Sequence, residues 1–175
     1  MSLCRCVLFS WLVWAVAACT PTLNWREFRP ESSGLLALFP CKPAAHARKL
    51  RLANVEVEMT LHACSAGGTT YAIGHADMGD PRLVGAALYA LSEAASHNID
   101  AAGSAASMPL AVVGMTPSAQ AGRRAFAGRL KDGQRVEEQM AVFARGTRVF
   151  QATMVGAKLD VEAVDTFFGA LRLPS

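Results

Sequence analysis

The run Val55-Glu56-Val57-Glu58-Met59-Thr60-Leu61-His62 alternates apolar and polar residues without a break. Strict period two over eight residues is the pattern of a strand with one buried face. It predicts Val55, Val57, Met59 and Leu61 against a core, with Glu56, Glu58, Thr60 and His62 on the opposite side. We read the extended run as 49–61. Upstream, Ser32-Ser33-Gly34 opens a first strand at 35–39, which Pro40 and Pro43 stop. Downstream, Gly67-Gly68 turns the chain into another strand at 69–74.

Asp80-Pro81 marks a helix start, because Asp80 can accept from an open backbone N–H and proline suits the first helical position. Val84, Leu88, Leu91 and Ala95 then recur as one stripe of a helix ending near Asn98. Residues 101–108 are small and polar and read as a loop, and 110–113 as a short strand. The final third reads as a meander of three strands, 123–130, 135–144 and 148–155. Asp132-Gly133 and Arg145-Gly146 supply its tight turns. Asp160 caps a last helix, 161–170, with Val161, Val164, Phe168 and Leu171 on one face.

The amino terminus carries an address. Arg5 precedes an apolar run from Val7 to Val16 that ends in Ala17-Ala18-Cys19. A basic start, about ten apolar residues and a small-residue cleavage site make a secretory signal peptide, here residues 1–18. A spanning helix needs roughly 20 apolar residues, and Thr20-Pro21-Thr22 breaks the run before that length. Val16-Ala17-Ala18-Cys19 is similar to the bacterial lipobox, which implies cleavage before Cys19 and a lipid on its sulfur. Ordinary signal-peptidase cleavage is the alternative. Residues 19–33 then form a lipidated start and tether, with Trp25 and Phe28 available to dock, and 34–175 form the domain. Thr at position 20, rather than Asp, favours the outer membrane facing the periplasm.

The 175 residues, less the leader, suit one domain with a real core. The net charge is +3, of which Arg5 supplies one; so slight a balance gives no nucleic-acid partner. Of the five cysteines, Cys4 and Cys6 leave with the leader and Cys19 takes the lipid. Cys41 and Cys64 remain, each at the end of a predicted strand, and an even pair in an oxidising compartment predicts a disulfide.

The element order, Leu38-Phe39-Pro40-Cys41-Lys42-Pro43, Arg148-Val149-Phe150-Gln151-Ala152 and the ending Phe167-Phe168-Gly169-Ala170-Leu171-Arg172-Leu173 resemble small bacterial exported proteins of the PsbP/DcrB-like class. The likeness spans roughly 34–173. It implies an α+β domain, an antiparallel β-sheet flanked by helices as an α/β/α sandwich, acting in binding or as an accessory protein. Its motifs are structural and imply no catalytic residues or cofactor. Cys41 departs from the class, in which the residue after the Phe-Pro step is often small.

Candidate sites are few. His62, Cys64, His75 and Asp77 repeat an i, i+2 spacing that would converge on a metal if their strands paired, although a disulfide removes Cys64. The plainer reading makes His62, His75 and Asp77 polar residues on a sheet face. No Gly-x-Ser-x-Gly, P-loop or dinucleotide glycine pattern occurs, so no enzyme class is indicated. Arg123, Arg124, Arg129, Lys131, Arg135, Arg145 and Arg148 crowd the meander against Asp132, Glu137 and Glu138. They read as a solvated face, or as a surface for anionic lipid or an acidic partner. The expected function is a non-catalytic envelope lipoprotein, held to the membrane through Cys19 and presenting its domain to an envelope protein or ligand. The alternatives are a soluble periplasmic solute- or metal-binding module and, behind it, an enzyme.

Overall fold

Nine strands and two helices make up the described part of the chain, residues 23–101 and 106–174 of a computed structural model. The expected signal peptide 1–18, the lipid site Cys19, and Cys4 and Cys6 lie outside the described residues. Among the described residues, no helix is long and apolar enough to cross a membrane.

The strands are β1 (Arg26–Phe28), β2 (Ala37–Phe39), β3 (Ala44–Leu52), β4 (Val55–Ala66), β5 (Thr69–Asp77), β6 (Ala106–Met108), β7 (Gly122–Arg129), β8 (Arg135–Arg145) and β9 (Arg148–Gly156). The helices are α1 (Pro81–Asn98) and α2 (Val161–Gly169). Seven strands form one antiparallel sheet in the order β3-β4-β5-β9-β8-β7-β6. β1 and β2 pair separately as a two-stranded antiparallel sheet.

Sheet parity sorts the core into two layers. Val57 and Met59 of β4, Ala76 of β5, Met140 and Val142 of β8 and Val149 of β9 face α1. Tyr71, Ile73, Phe143, Phe150 and Met154 face the other way, onto α2 and β2. The fold is therefore α+β, with one helix on each face of the antiparallel sheet. Both helices start where expected: the Asp80 side chain accepts from the Arg82 N–H and the Asp160 side chain from the Ala163 N–H. At the far end of α1 the Ile99 carbonyl lies against Gly128, where a Cβ would collide with it. That glycine lets the helix end close onto β7.

Several expectations are corrected. The run 49–61 is the heart of a hairpin: Ala53 and Asn54, at φ +49° and +66°, turn β3 into β4. Two consecutive positive φ values make a tight turn, and alanine gives no sign of one. The alternation in β4 holds through Met59 and then inverts, so that Leu61 is 40 % exposed and His62 only 8 %. α1 covers the first half of the strand on one face, while Phe28 and its neighbours cover the second half on the other. The stretch 19–33 is not wholly a tether. Its β1 pairs with β2, Trp25 packs edge-on against Tyr71, and Phe28 packs against Phe39. These aromatic rings bury apolar area that an exposed spacer would leave in water. β6 falls in the stretch read as a loop, and 110–113 forms no strand beyond a bridge from Val113 to Arg172. In α2, Val161 is 73 % exposed and Phe167 takes its place in the core.

Cys41 and Cys64 form a disulfide. It ties the segment after β2 to β4, the strand next to the β3 edge of the large sheet, closing a loop of about 24 residues, which stabilises by roughly 3 kcal/mol in the chain-entropy model.

Candidate functional site

Two clefts lie on opposite faces of the sheet. The first, of about 800 Å³, is floored by His62 and His75 and edged by Phe28, Arg29, Asp77 and Arg148. β4 and β5 place Thr60 opposite His75 and His62 opposite Ile73, which makes the two histidines diagonal neighbours on one face. Their rings stack with centroids 5.9 Å apart and planes 13° from parallel. Phe28 closes over His62 at 5.0 Å, and Phe150 lies tilted beside His75.

Burial holds the His62 imidazole below its ordinary pKa, with Glu31 partly opposing. Burial, the His62 ring and the Arg148 guanidinium lower His75 to about 4. Both are therefore neutral at pH 7, each with one N–H and one lone pair. The Nε2 of each is buried and, among the described residues, has no hydrogen-bond partner.

Sequence spacing pointed to His62, His75 and Asp77 as metal candidates. The structure brings the two histidines together and puts Asp77 at the same end of β5, but its carboxylate is engaged elsewhere. It accepts from the Thr147 hydroxyl and the Gly79 N–H and lies 3.5 Å from Arg148, which together hold its pKa down. Cys64 is consumed by the disulfide. Among the described residues, no three His, Cys, Asp or Glu side chains gather as a metal site.

The basic residues of the meander do not form one surface. Arg123 binds Gln139 and lies 4.4 Å over the Phe168 ring, Arg124 binds Ser92 of α1, and Arg129 binds the Gly133 carbonyl. Arg145 reaches the carbonyls of Leu173 and Pro174, and Arg148 reaches the Ser33 carbonyl and Asp77. Alternation sends neighbours such as Arg123 and Arg124 to opposite faces, and these five arginines are spent on local ties, while Lys131 and Arg135 stay exposed near the β7–β8 turn.

The second cleft, about 500 Å³, lies on the α1 face beyond the end of that helix. Met59, Leu61, Ile99 and Val155 supply its apolar walls, and Glu138 sits in it only 3 % exposed. Burial alone pushes the Glu138 carboxyl up to about 7. Sequence reading took Glu138 for one of the surface charges of the meander. The signal was there: Val136, Met140, Val142 and Ala144 are all apolar, and Glu138 is the exception on their side of β8.

Comparison of the chain with protein-family models, curated proteins and solved structures finds no match.

Proposed function

We propose that this chain is a non-catalytic lipoprotein of the bacterial cell envelope, anchored through a lipid on Cys19, whose domain binds a small polar ligand in the imidazole cleft. The observation that carries the reading is the pair of buried, unpartnered Nε2 atoms of His62 and His75 at the floor of that cleft. Buried polar atoms in proteins are almost always hydrogen-bonded, and a ligand that parts the rings over them, Phe28 first, supplies what the fold does not. Export is supported by the Cys41–Cys64 bond, since such bridges persist in oxidising compartments. A PsbP-like arrangement is supported by the antiparallel sheet with α1 on one face and α2 on the other. A non-catalytic role is supported by the lowered histidines, which are poorly matched to general base work at neutral pH.

The neutral imidazole pair also favours a second reading, a periplasmic solute- or metal-binding module released by ordinary cleavage, because an imidazole lone pair is the form that ligates zinc or copper. Two measurements separate these readings. Mass spectrometry of the mature protein extracted from membranes is expected to give an amino-terminal Cys19 bearing diacylglycerol. An unmodified Cys19, or a full-length cytosolic chain with reduced thiols, overturns the lipoprotein assignment. Native mass spectrometry of the same material is expected to show a ligand that the His62→Ala, His75→Ala double variant does not retain. Calorimetry with zinc or copper decides the second reading by whether heat of binding appears and depends on both histidines.

A further inference from the structure

We propose that the groove on the α1 face is a second binding site, independent of the imidazole cleft, which takes a small apolar molecule with its ammonium head against Glu138. The groove exists because α1 stops short. Its last turn ends at Asn98, and beyond it no described residue closes the sheet face between β4 and β9. The strand between them, β5, carries only Ala72 and Gly74 there, so the floor is low. Met59 lies so close over Gly74 that a Cβ at that position would meet its methyl group. The walls are apolar, and Leu61 on the rim is one of the few large apolar side chains this chain leaves exposed.

Against that setting Glu138 is anomalous. Only 3 % of its surface is exposed, it lines the groove, and no described residue hydrogen-bonds to its carboxyl or pairs with it. Burying a carboxyl without a partner is costly. An ordinary core position would carry an apolar residue, as Val136, Met140 and Val142 do on the same face of β8. Among the described residues, the other titratable or charged ones lining the groove are His46 and Arg48, both on β3 at the opposite rim, four strands away from Glu138 in the sheet order. No lysine or arginine from α1, β8 or β9 lines it. Arg124 of β7, on the same face, is tied to Ser92 of α1 and does not line the groove. Among the described residues, a ligand cation therefore meets a carboxyl with no lysine or arginine on its own side of the groove, and its apolar body lies on Leu61, Ile99 and Val155. The raised pKa of Glu138 fits an acid waiting for that partner.

The test uses the full chain and three probes of one length: n-octylamine, n-octanol and octanoate. By calorimetry at pH 8, the amine is expected to bind at least tenfold more tightly than either comparator. Glu138→Gln is expected to cut amine affinity at least tenfold while leaving octanol within twofold, and Ala72→Phe, which fills the floor, to abolish both. Equal affinities for the three probes, no binding of the amine, or an amine affinity indifferent to Glu138→Gln overturns the proposal. The parent protein offers a check that needs no variant. At pH 7, where Glu138 is partly protonated, amine binding is expected to release protons and octanol binding none, read from the heat in two buffers of different ionisation enthalpy. Absence of that release overturns it equally. Because His62 and His75 lie on the other face, failure here leaves the imidazole cleft untouched, and the reverse holds too.

Discussion

The ring of His75 stacks on that of His62 across β4 and β5, two residues out of register, with both Nε2 atoms buried and, among the described residues, without a hydrogen-bond partner. Protonating either ring puts a cation beside its neighbour and, for His75, beside Arg148 as well. The cleft therefore resists acid only as far as the fold can hold two imidazoles neutral.

That resistance has a pH window. The unfolded chain protonates His75 near its ordinary 6.5, the folded chain only near 4. Between those values the unfolded state binds more protons, so stability falls as pH drops from 6.5 to 4 and levels below. After discounting for the partial exposure of the ring, the loss is about 1–2 kcal/mol. Urea melts at pH 7, 5.5 and 4 are expected to show a shallower acid decline in His75→Gln than in the parent. Parallel declines would remove the histidine from the account.

Glu138 acts with the opposite sign. Its folded pKa of about 7 lies above its ordinary 4.5, so its contribution to stability is complete at low pH and is lost as pH rises from 4.5 through 7. Glu138→Gln keeps the shape and removes the charge. At pH 8 it is expected to stabilise the protein by about 2 kcal/mol and at pH 4 to change it little. The two windows overlap, so each is read as the difference between variant and parent at one pH.

The disulfide has a scale of its own. Replacing Cys41 and Cys64 together with serine is expected to lower unfolding free energy by roughly 3 kcal/mol, measured by denaturant titration of the oxidised parent against the variant. A difference under about 1 kcal/mol would mean that the unfolded chain is already compact in this region.

Ala53 carries an unfavourable backbone angle in the β3–β4 turn, φ +49°. Glycine reaches that region without a Cβ penalty, so Ala53→Gly is expected to raise the melting temperature, by an amount equivalent to about 1 kcal/mol. The same substitution at Ala141, buried in β8 with ordinary strand geometry, is expected to destabilise.

The parts of the fold that were legible in the sequence are those encoded locally. Asp80 and Asp160 announced both helices because a cap needs only its own side chain and the next turn. Asp132-Gly133 and Arg145-Gly146 placed the meander hairpins, and the cysteines at strand ends named their own bond. What escaped depends on coverage. Whether Leu61 or His62 is buried is decided by where α1 stops and where Phe28 lies, neither of which is written in β4. Val161 was misjudged for the same reason: helical period fixes a face, while neighbours fix how far around it burial extends. In the cleft, the pairing of His62 with His75 was foreseeable from adjacent strands. The engagement of Asp77 was not, since Thr147 and Arg148 arrive from the far end of the chain.

The free margin of β3 has a last consequence. Among the described residues, it leaves nine residues of extended backbone with one side unpaired, the kind of border onto which another chain can zip. Arg48, Lys49 and Arg51 crowd its second half, and Pro43, which has no N–H to offer, sits immediately before it. Two copies pairing in parallel and in register along this border would set Arg48 against Arg48 and Arg51 against Arg51. Charge and proline of this kind are the features by which edge strands are kept from fibrillar stacking.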